Sequence, residues 1–288
     1  MKKPDWIRAK ISLSDKFNRV KDLLKEKGLN TVCVEASCPN KGECWEKGHV
    51  TFMILGNICT RGCLFCDVAS GVPSVPDNEE AQKITSAIKE LKSRYIVITS
   101  VTRDDLEDKG ANHFCYVVKE IKSLKNKTLI ELLIPDFSAK QELLEKIAFS
   151  GADVIGHNIE MPEKLYPEIR PKADYNRSLD VLRTLSMLKQ KKSVSILVKS
   201  SLMVGLGEKN DGIVATFKDL KSSGVDILYI GQYLSPSKSS WSVKKYYKPE
   251  EFEDLKRKAQ KMGFRSVFSG PLVRSSYRAY RSYRETSV

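Results

Sequence analysis

Hydrophobic and polar positions run through this chain in two alternating rhythms. Short, nearly unbroken apolar runs of strand length occupy residues 51–55, 95–100, 128–134, 152–157, 194–199 and 225–230. Residues 78–91, 112–124, 138–149, 178–188, 211–221 and 249–262 carry apolar side chains at helical spacing. Ser138-Ala-Lys-Gln141 has the form of a capping box, and Pro249 suits a first helical turn. Six strand-then-helix units predict parallel strands joined by right-handed crossovers. Six are fewer than the eight of a closed barrel. The expected fold is therefore α/β, an open partial (βα)6 barrel, with a doubly wound sheet as the alternative.

Upstream, residues 14–28 form an amphipathic helix, with Phe17, Val20, Leu23 and Leu24 on one stripe and Gly28 closing it. No internal repeat or low-complexity linker interrupts the chain. The simplest division is an N-terminal extension at 1–50, a barrel at 51–265 and a C-terminal tail at 266–288.

The strand ends are polar almost without exception. They deliver Thr102, Arg103, Asp104 and Asp105 after the second strand, Asp136 after the third, and His157, Asn158 and Glu160 after the fourth. The fifth runs into Lys199-Ser-Ser201 and then Gly205-Leu-Gly207-Glu208, and the sixth into Gly231-Gln-Tyr233. Folds of this class gather their chemistry at that rim. Arg103 can hold a carboxylate bidentately, and Asp104, Asn158 and Glu160 suit the hydroxyl and amide edges of a cofactor. Wet loops are polar for ordinary reasons too. Gly205-x-Gly207 lacks the third glycine of a dinucleotide fingerprint and follows the wrong strand.

Composition narrows the class of protein. The 288 residues are long enough for one large domain. A formal charge of +13 suits either a well-solvated surface or an acidic partner. The lysines are dispersed rather than clustered with aromatics, which argues against nucleic acid. No run approaches the ~18 apolar residues of a membrane span, and the N-terminus has charge without an apolar core, so a cytoplasmic protein is expected.

Six of the seven cysteines fall between positions 33 and 66. In a cytosolic chain such crowding argues for metal rather than disulfides. Cys115 stands apart and is expected in the core. Cys59, Cys63 and Cys66 form a C-x3-C-x2-C loop directly after the first strand, with Gly62 at the turn. Thiolates select iron–sulfur clusters, zinc or copper(I). Three are one short of a closed four-thiolate site, so a cubane here leaves one iron open. A zinc knuckle with a borrowed fourth ligand is the alternative. Cys33, Cys38 and Cys44 form a second triad, in a stretch with Pro39, Gly42 and little periodicity that is expected to be a loop folding around metal.

The Cys59 loop, with its aromatic before the last cysteine, resembles the signature of the radical S-adenosylmethionine (radical SAM) enzymes. There the open iron chelates SAM, and an electron from the cluster cleaves it to a 5′-deoxyadenosyl radical. The likeness sharpens to the lipoyl synthase family on the Cys33, Cys38, Cys44 triad and the tail Arg274-Ser275-Ser276-Tyr277-x-Ala279. Thr99-Ser-Val-Thr-Arg-Asp-Asp105, His157-Asn158-x-Glu160 and Gly231-Gln-Tyr-Leu-x-Pro-Ser237 share it.

The resemblance implies two 4Fe–4S clusters and SAM. It implies insertion of two sulfur atoms, at carbons 6 and 8 of an octanoyl chain amide-linked to a lysine of a lipoyl carrier domain. Such carriers are the glycine-cleavage H protein and dehydrogenase E2 subunits, with a flavodoxin or ferredoxin as electron donor. The cluster at Cys33, Cys38 and Cys44 would supply the sulfur, and its fourth ligand maps to Ser276, with Ser275 the neighbouring possibility. Asp108-Lys109-Gly110 and Ser240-Trp241-Ser242 depart from the family's Asp-Gly-Gly and His-Leu-Pro, near SAM and at the carrier-facing rim respectively. A radical SAM enzyme sulfurating a tRNA base and a zinc-stabilised binding module are the competing readings.

Overall fold

The computed structural model describes residues 2–124, 127–191 and 194–287, and the chain divides into two compact units. The first comprises residues 9–61 and 68–153; the second comprises residues 1–8, 62–67 and 154–288.

In the first unit, helix α1 (Asp15–Glu26) begins where Ser14 accepts the Phe17 amide at 3.3 Å. The Ser14 hydroxyl satisfies one of the four amides a helix start leaves open. Val20, Leu23 and Leu24 are buried, and Phe17 meets the Trp45 ring at 5.4 Å between centroids. The stretch expected as a loop contains two short helices, α2 (Val32–Glu35) and α3 (Lys41–Glu46). Their apolar anchors are Cys33 and Trp45, both buried. One apolar anchor per helix is too little for periodicity to reveal.

Strand β1 (Thr51–Ile54) pairs in parallel with β2 (Tyr95–Ser100), and β2 with β3 (Leu129–Leu133). The helices following these strands are α4 (Glu80–Leu91), α5 (Ala111–Lys122) and α6 (Gln141–Ala148). Ser138 does not cap α6. It lies in a turn where Phe137, Ser138 and Ala139 all have left-handed backbone, with φ of 46°, 55° and 53°, and Lys140 precedes the helix without a side-chain cap.

In the second unit four parallel strands pair in chain order: β4 (Val154–Gly156), β5 (Leu197–Val204), β6 (Ile227–Gln232) and β7 (Ser266–Gly270). The helices are α7 (Tyr166–Ile169), α8 (Tyr175–Lys191), α9 (Asn210–Ser222), α10 (Pro249–Lys261) and α11 (Ala279–Thr286). The strands differ from the sequence pattern in two places. Strand β5 begins later and ends later than residues 194–199, so Lys199, Ser200 and Ser201 are mid-strand and buried, not at its end. The described residues hold seven strands rather than six, because β7 lies in the segment assigned to the tail. With Arg265 and Ser269 flanking its apolar centre, β7 is too short and mixed to read as a buried strand.

The tail turns back onto β6 at a glycine. A Cβ at Gly231 would sit 2.1 Å from the Val273 carbonyl oxygen, which is backbone and cannot swing aside. Gly231→Ala is expected to cost about 2 kcal/mol by overpacking. The midpoint of thermal unfolding should fall by roughly 4–8 °C, read by circular dichroism.

Candidate active site

The three thiols of the Cys59 loop divide between the units, and each part is fixed separately. In the first unit Cys59 donates its amide to the Ala69 carbonyl at 2.8 Å, and its own carbonyl accepts the Gly71 amide at 3.0 Å. The Thr60 amide donates to the Thr102 carbonyl at 3.1 Å. Arg61 donates its amide to the Cys59 sulfur at 3.4 Å. Its guanidinium reaches two carboxylates: Asp104 at 2.8 and 2.9 Å, and Asp136 at 2.7 and 2.8 Å. The Arg61 and Asp136 side chains are only 6% and 1% exposed. Hydrogen bonds from Arg61 hold the Asp104 carboxyl below the usual carboxylate range, and the two carboxylates keep Arg61 charged.

In the second unit the Leu64 amide donates to the Ile169 carbonyl at 3.0 Å, and the Leu64 carbonyl accepts the Trp241 amide at 2.8 Å. The Trp241 indole donates to the Leu206 carbonyl at 2.9 Å, and Tyr233 donates its hydroxyl to the Trp241 carbonyl at 2.6 Å. Trp241 therefore bears on the segment between Cys63 and Cys66. Arg170 lies against Cys63 and is held charged by Tyr166, Glu160 and Cys63 in spite of burial. It donates to the Tyr166 hydroxyl at 3.0 Å, and its Nε is buried with no hydrogen-bond partner. Glu160 accepts from the Asn158 amide at 3.1 Å, and burial pushes its carboxyl up. Glu160 has φ of 65°. Its backbone is pinned by the Ser201 carbonyl at 3.0 Å and the Met203 amide at 2.7 Å.

Asn158 and Glu160 thus stand together, with Arg170 beside the carboxylate. Arg103 and Asp104 are otherwise engaged. Arg103 holds Asp105 at 2.8–3.2 Å and the Leu55 carbonyl at 3.2 Å, so its fork is filled by its own loop and by the end of β1. Asp136 stands at the end of the third strand as expected, whereas Arg61 and Arg170 are not at strand ends and were not anticipated from the sequence. Arg61 sits between two cysteines and Arg170 after a short helix, so neither carries a local signal. Glu208 clasps the amides of Gly205, Leu206 and Gly207 at 2.7–3.0 Å. That glycine pair therefore cradles its own carboxylate, in keeping with its rejection as a nucleotide motif.

The thiols of the second triad are close enough to act on one another electrostatically. Burial and the neighbouring Cys38 raise the Cys33 thiol to about 11, and burial with Cys33 and Cys38 raises Cys44 to about 12. The Cys38 amide donates to the Cys33 carbonyl at 3.3 Å. The raised Cys33 and Cys44 thiols are relieved when iron is bound, since a coordinating thiol is deprotonated outright. The donor set thus fits a metal cluster. Among the described residues no three His, Cys, Asp or Glu side chains are placed to hold a single metal ion. Thiolates of a cubane bind different irons and stand farther apart than that. Cys115 is half-buried, not in the core, with its thiol 3.5 Å from the Lys146 carbonyl. Ser276 is half-buried in a turn closed by the Tyr277 amide on the Arg274 carbonyl at 2.9 Å, and Ser275 precedes it. Among the described residues no helix is long and apolar enough to cross a membrane.

The sequence model of the Radical SAM superfamily matches residues 53–220. Solved structures give the same fold. SuiB of Streptococcus suis bound to S-adenosylmethionine has a TM-score of 0.56 at 13% identity, covering 79% of this chain and 52% of that one. The FeFe-hydrogenase maturase HydG of Carboxydothermus hydrogenoformans scores 0.55 at 14%, covering 95% and 78%. The chain is a radical SAM protein, a class whose cofactors are a 4Fe–4S cluster and SAM. Similarity to curated relatives is closer. Lipoyl synthase of Alkaliphilus metalliredigens is 49% identical over 278 residues, 96% of this chain and 94% of the relative. That of Caldicellulosiruptor saccharolyticus is 48% identical, covering 96% of each. Within the superfamily, the chain belongs to the lipoyl synthase family.

Asp104 supports a pH prediction. Its carboxyl is depressed in the folded protein, so its stabilisation is present above the free-carboxylate range and is lost as pH falls through the folded value. Asp104→Asn is expected to cost about 1–2 kcal/mol at neutral pH, from a lost charge-assisted hydrogen bond. In urea unfolding the gap to the native chain should close as the pH falls beneath the usual carboxylate range and Asp104 takes up its proton.

Proposed function

We propose that this chain is a lipoyl synthase, inserting sulfur at carbons 6 and 8 of an octanoyl-lysine on a lipoyl carrier domain. The carrying observation is the reach of the match. The superfamily model stops at residues 53 and 220, whereas the 278-residue similarity to lipoyl synthases leaves only about ten residues of the chain outside. It therefore takes in the Cys33, Cys38, Cys44 triad and Ser276. A radical SAM enzyme acting on a tRNA base, or a zinc module, would not require that likeness.

When bound, a cluster at Cys59, Cys63 and Cys66 with SAM supplies a 5′-deoxyadenosyl radical, and a second at Cys33, Cys38, Cys44 and Ser276 supplies sulfur. Carbons 6 and 8 lack a neighbouring carbonyl, so no side-chain base can remove their protons; the protein's part is to bind, orient and exclude water. Arg170, with an unused donor beside Cys63, suits the carboxylate of SAM better than Arg103, whose fork Asp105 fills. Glu160 and Asn158 offer an acceptor and an amide next to it. Asp104 contributes indirectly, by gripping Arg61. Ser276 offers an oxygen, harder and less well matched to iron than a thiolate, and protonation would let it leave. The carriers are lipoyl domains such as the glycine-cleavage H protein or dehydrogenase E2 subunits. A flavodoxin or ferredoxin as donor would complement the +13 charge.

Anaerobic mass spectrometry of an octanoylated carrier peptide, incubated with SAM and reductant, should show the mass gain of two sulfurs. Unchanged octanoyl-lysine would reject the assignment. Reconstituted protein should hold about eight iron and eight sulfide per chain, as two cubanes do; zinc without visible absorption would reject it as well. Cys63→Ala should abolish SAM cleavage, whereas Cys38→Ala should still release 5′-deoxyadenosine without inserting sulfur. Ser276→Ala should spare the first hydrogen abstraction more than product formation.

A further inference from the structure

Arg61 is gripped more tightly than charge balance requires. One carboxylate would neutralise its guanidinium, yet Asp104 and Asp136 each bind it bidentately, at 2.7–2.9 Å. The three groups together carry a net negative charge. That excess does nothing to help neighbouring thiols ionise, so the cluster of charges is not there as a counter-ion for thiolates.

Its geometry points elsewhere. Asp136 leads into the turn at Phe137, Ser138 and Ala139, three successive non-glycine residues with left-handed backbone. Each such residue is strained, and strain of that kind persists only where the surroundings over-determine it. Here the surroundings are evident. The Phe137 ring is buried and meets Phe114 edge-on at 6.0 Å. Asp136 itself accepts the Ser138 amide at 3.0 Å while binding Arg61. On the other side, Asp104 receives Arg61 while its amide donates to the Thr60 hydroxyl at 3.1 Å. Arg61 is thereby tied to two loops, and its own amide donates to the Cys59 sulfur.

We infer that Arg61 is a positioning residue: clamped by Asp104 and Asp136, it fixes Cys59 in its receiving geometry before any cluster is present. A planar fork with five donors in fixed directions can do this, whereas a lysine, with the same charge, cannot. The inference rests on the proposed role of the loop only in its second readout. The first needs no cluster at all.

The first readout is the rate at which iodoacetamide alkylates each cysteine of the full, metal-free chain, resolved by peptide mass spectrometry. In Arg61→Lys, alkylation of Cys59 is expected to rise about tenfold as the segment opens locally. Cys33, Cys38 and Cys44, in the same unit, should keep their native rates. Should Arg61→Lys fail to fold, Asp136→Asn keeps the Arg61–Asp104 pair and should give a smaller rise at Cys59 alone. The second readout is the electron paramagnetic resonance spectrum of the reduced, reconstituted protein. Its response to SAM should be sharp in the native chain and heterogeneous in the variant, with KM for SAM raised more than kcat is lowered. Unchanged Cys59 alkylation, equal acceleration at all four cysteines, or a native-like response to SAM in a variant whose Cys59 has loosened would each overturn the inference. A native chain that binds no cluster would sink the proposed function, and the alkylation result would still decide the role of Arg61.

Discussion

The site depends on one buried cation held between two anions in a segment that has neither helix nor strand to support it. Taking Arg61 and Asp136 out of water, with Asp104 half-buried beside them, is costly, and the cost is offset only if the geometry is good. Arg61, Asp104 and Asp136 meet that condition with four hydrogen bonds of 2.7–2.9 Å. Such an arrangement tolerates little displacement, because an ion pair that loses one partner leaves an uncompensated charge behind. A loop tied to it inherits that intolerance, which is what a ligand loop needs.

The two thiol triads solve the same problem differently. Cys33 and Cys44 ride on short helices whose aromatic anchor, Trp45, packs on Phe17 of α1, so apolar burial carries them. Cys59 is carried by backbone bonds and the Arg61 ion group, and Cys63 and Cys66 by Leu64's bonds to Ile169 and Trp241. A centre consumed in each turnover would have to come apart and be rebuilt while its frame survives. Small helices, α3 packed on α1 and α2 against β1, are such a frame. The loop at Cys59, whose proposed task is repeated electron transfer, is instead fixed from several directions.

Both departures from the family pattern fall on this machinery. Lys109 takes a left-handed φ of 55°, where glycine is at ease and other residues are strained. Its ammonium turns back to the Asp104 carbonyl at 2.9 Å, so the strain is matched by a new contact on the loop that grips Arg61. Trp241, in the second stretch that departs, donates its amide to the Leu64 carbonyl and its indole to the Leu206 carbonyl. Neither change removes a cysteine, and each adds a support near one.

Local pattern determined much of this protein. Strand runs such as 95–100, the stripe of α1 and the three-residue and two-residue gaps of Cys59, Cys63 and Cys66 are short-range features, and short-range physics fixes them. The same holds for the pairing of Asn158 with Glu160, two residues apart on one strand end. What the sequence left open was long-range. Strand β7 owes its existence to β6 rather than to its own composition, and β5 extends to Val204 because β6 pairs with it that far. Arg103 looked like a free fork until folding put Asp105 into it. Arg61 and Asp136 lie 75 positions apart, and no periodicity links them. Only the folded chain decides which charges share a desolvated space, because the energy of such a meeting depends on distance and burial, and neither is written in the order of residues.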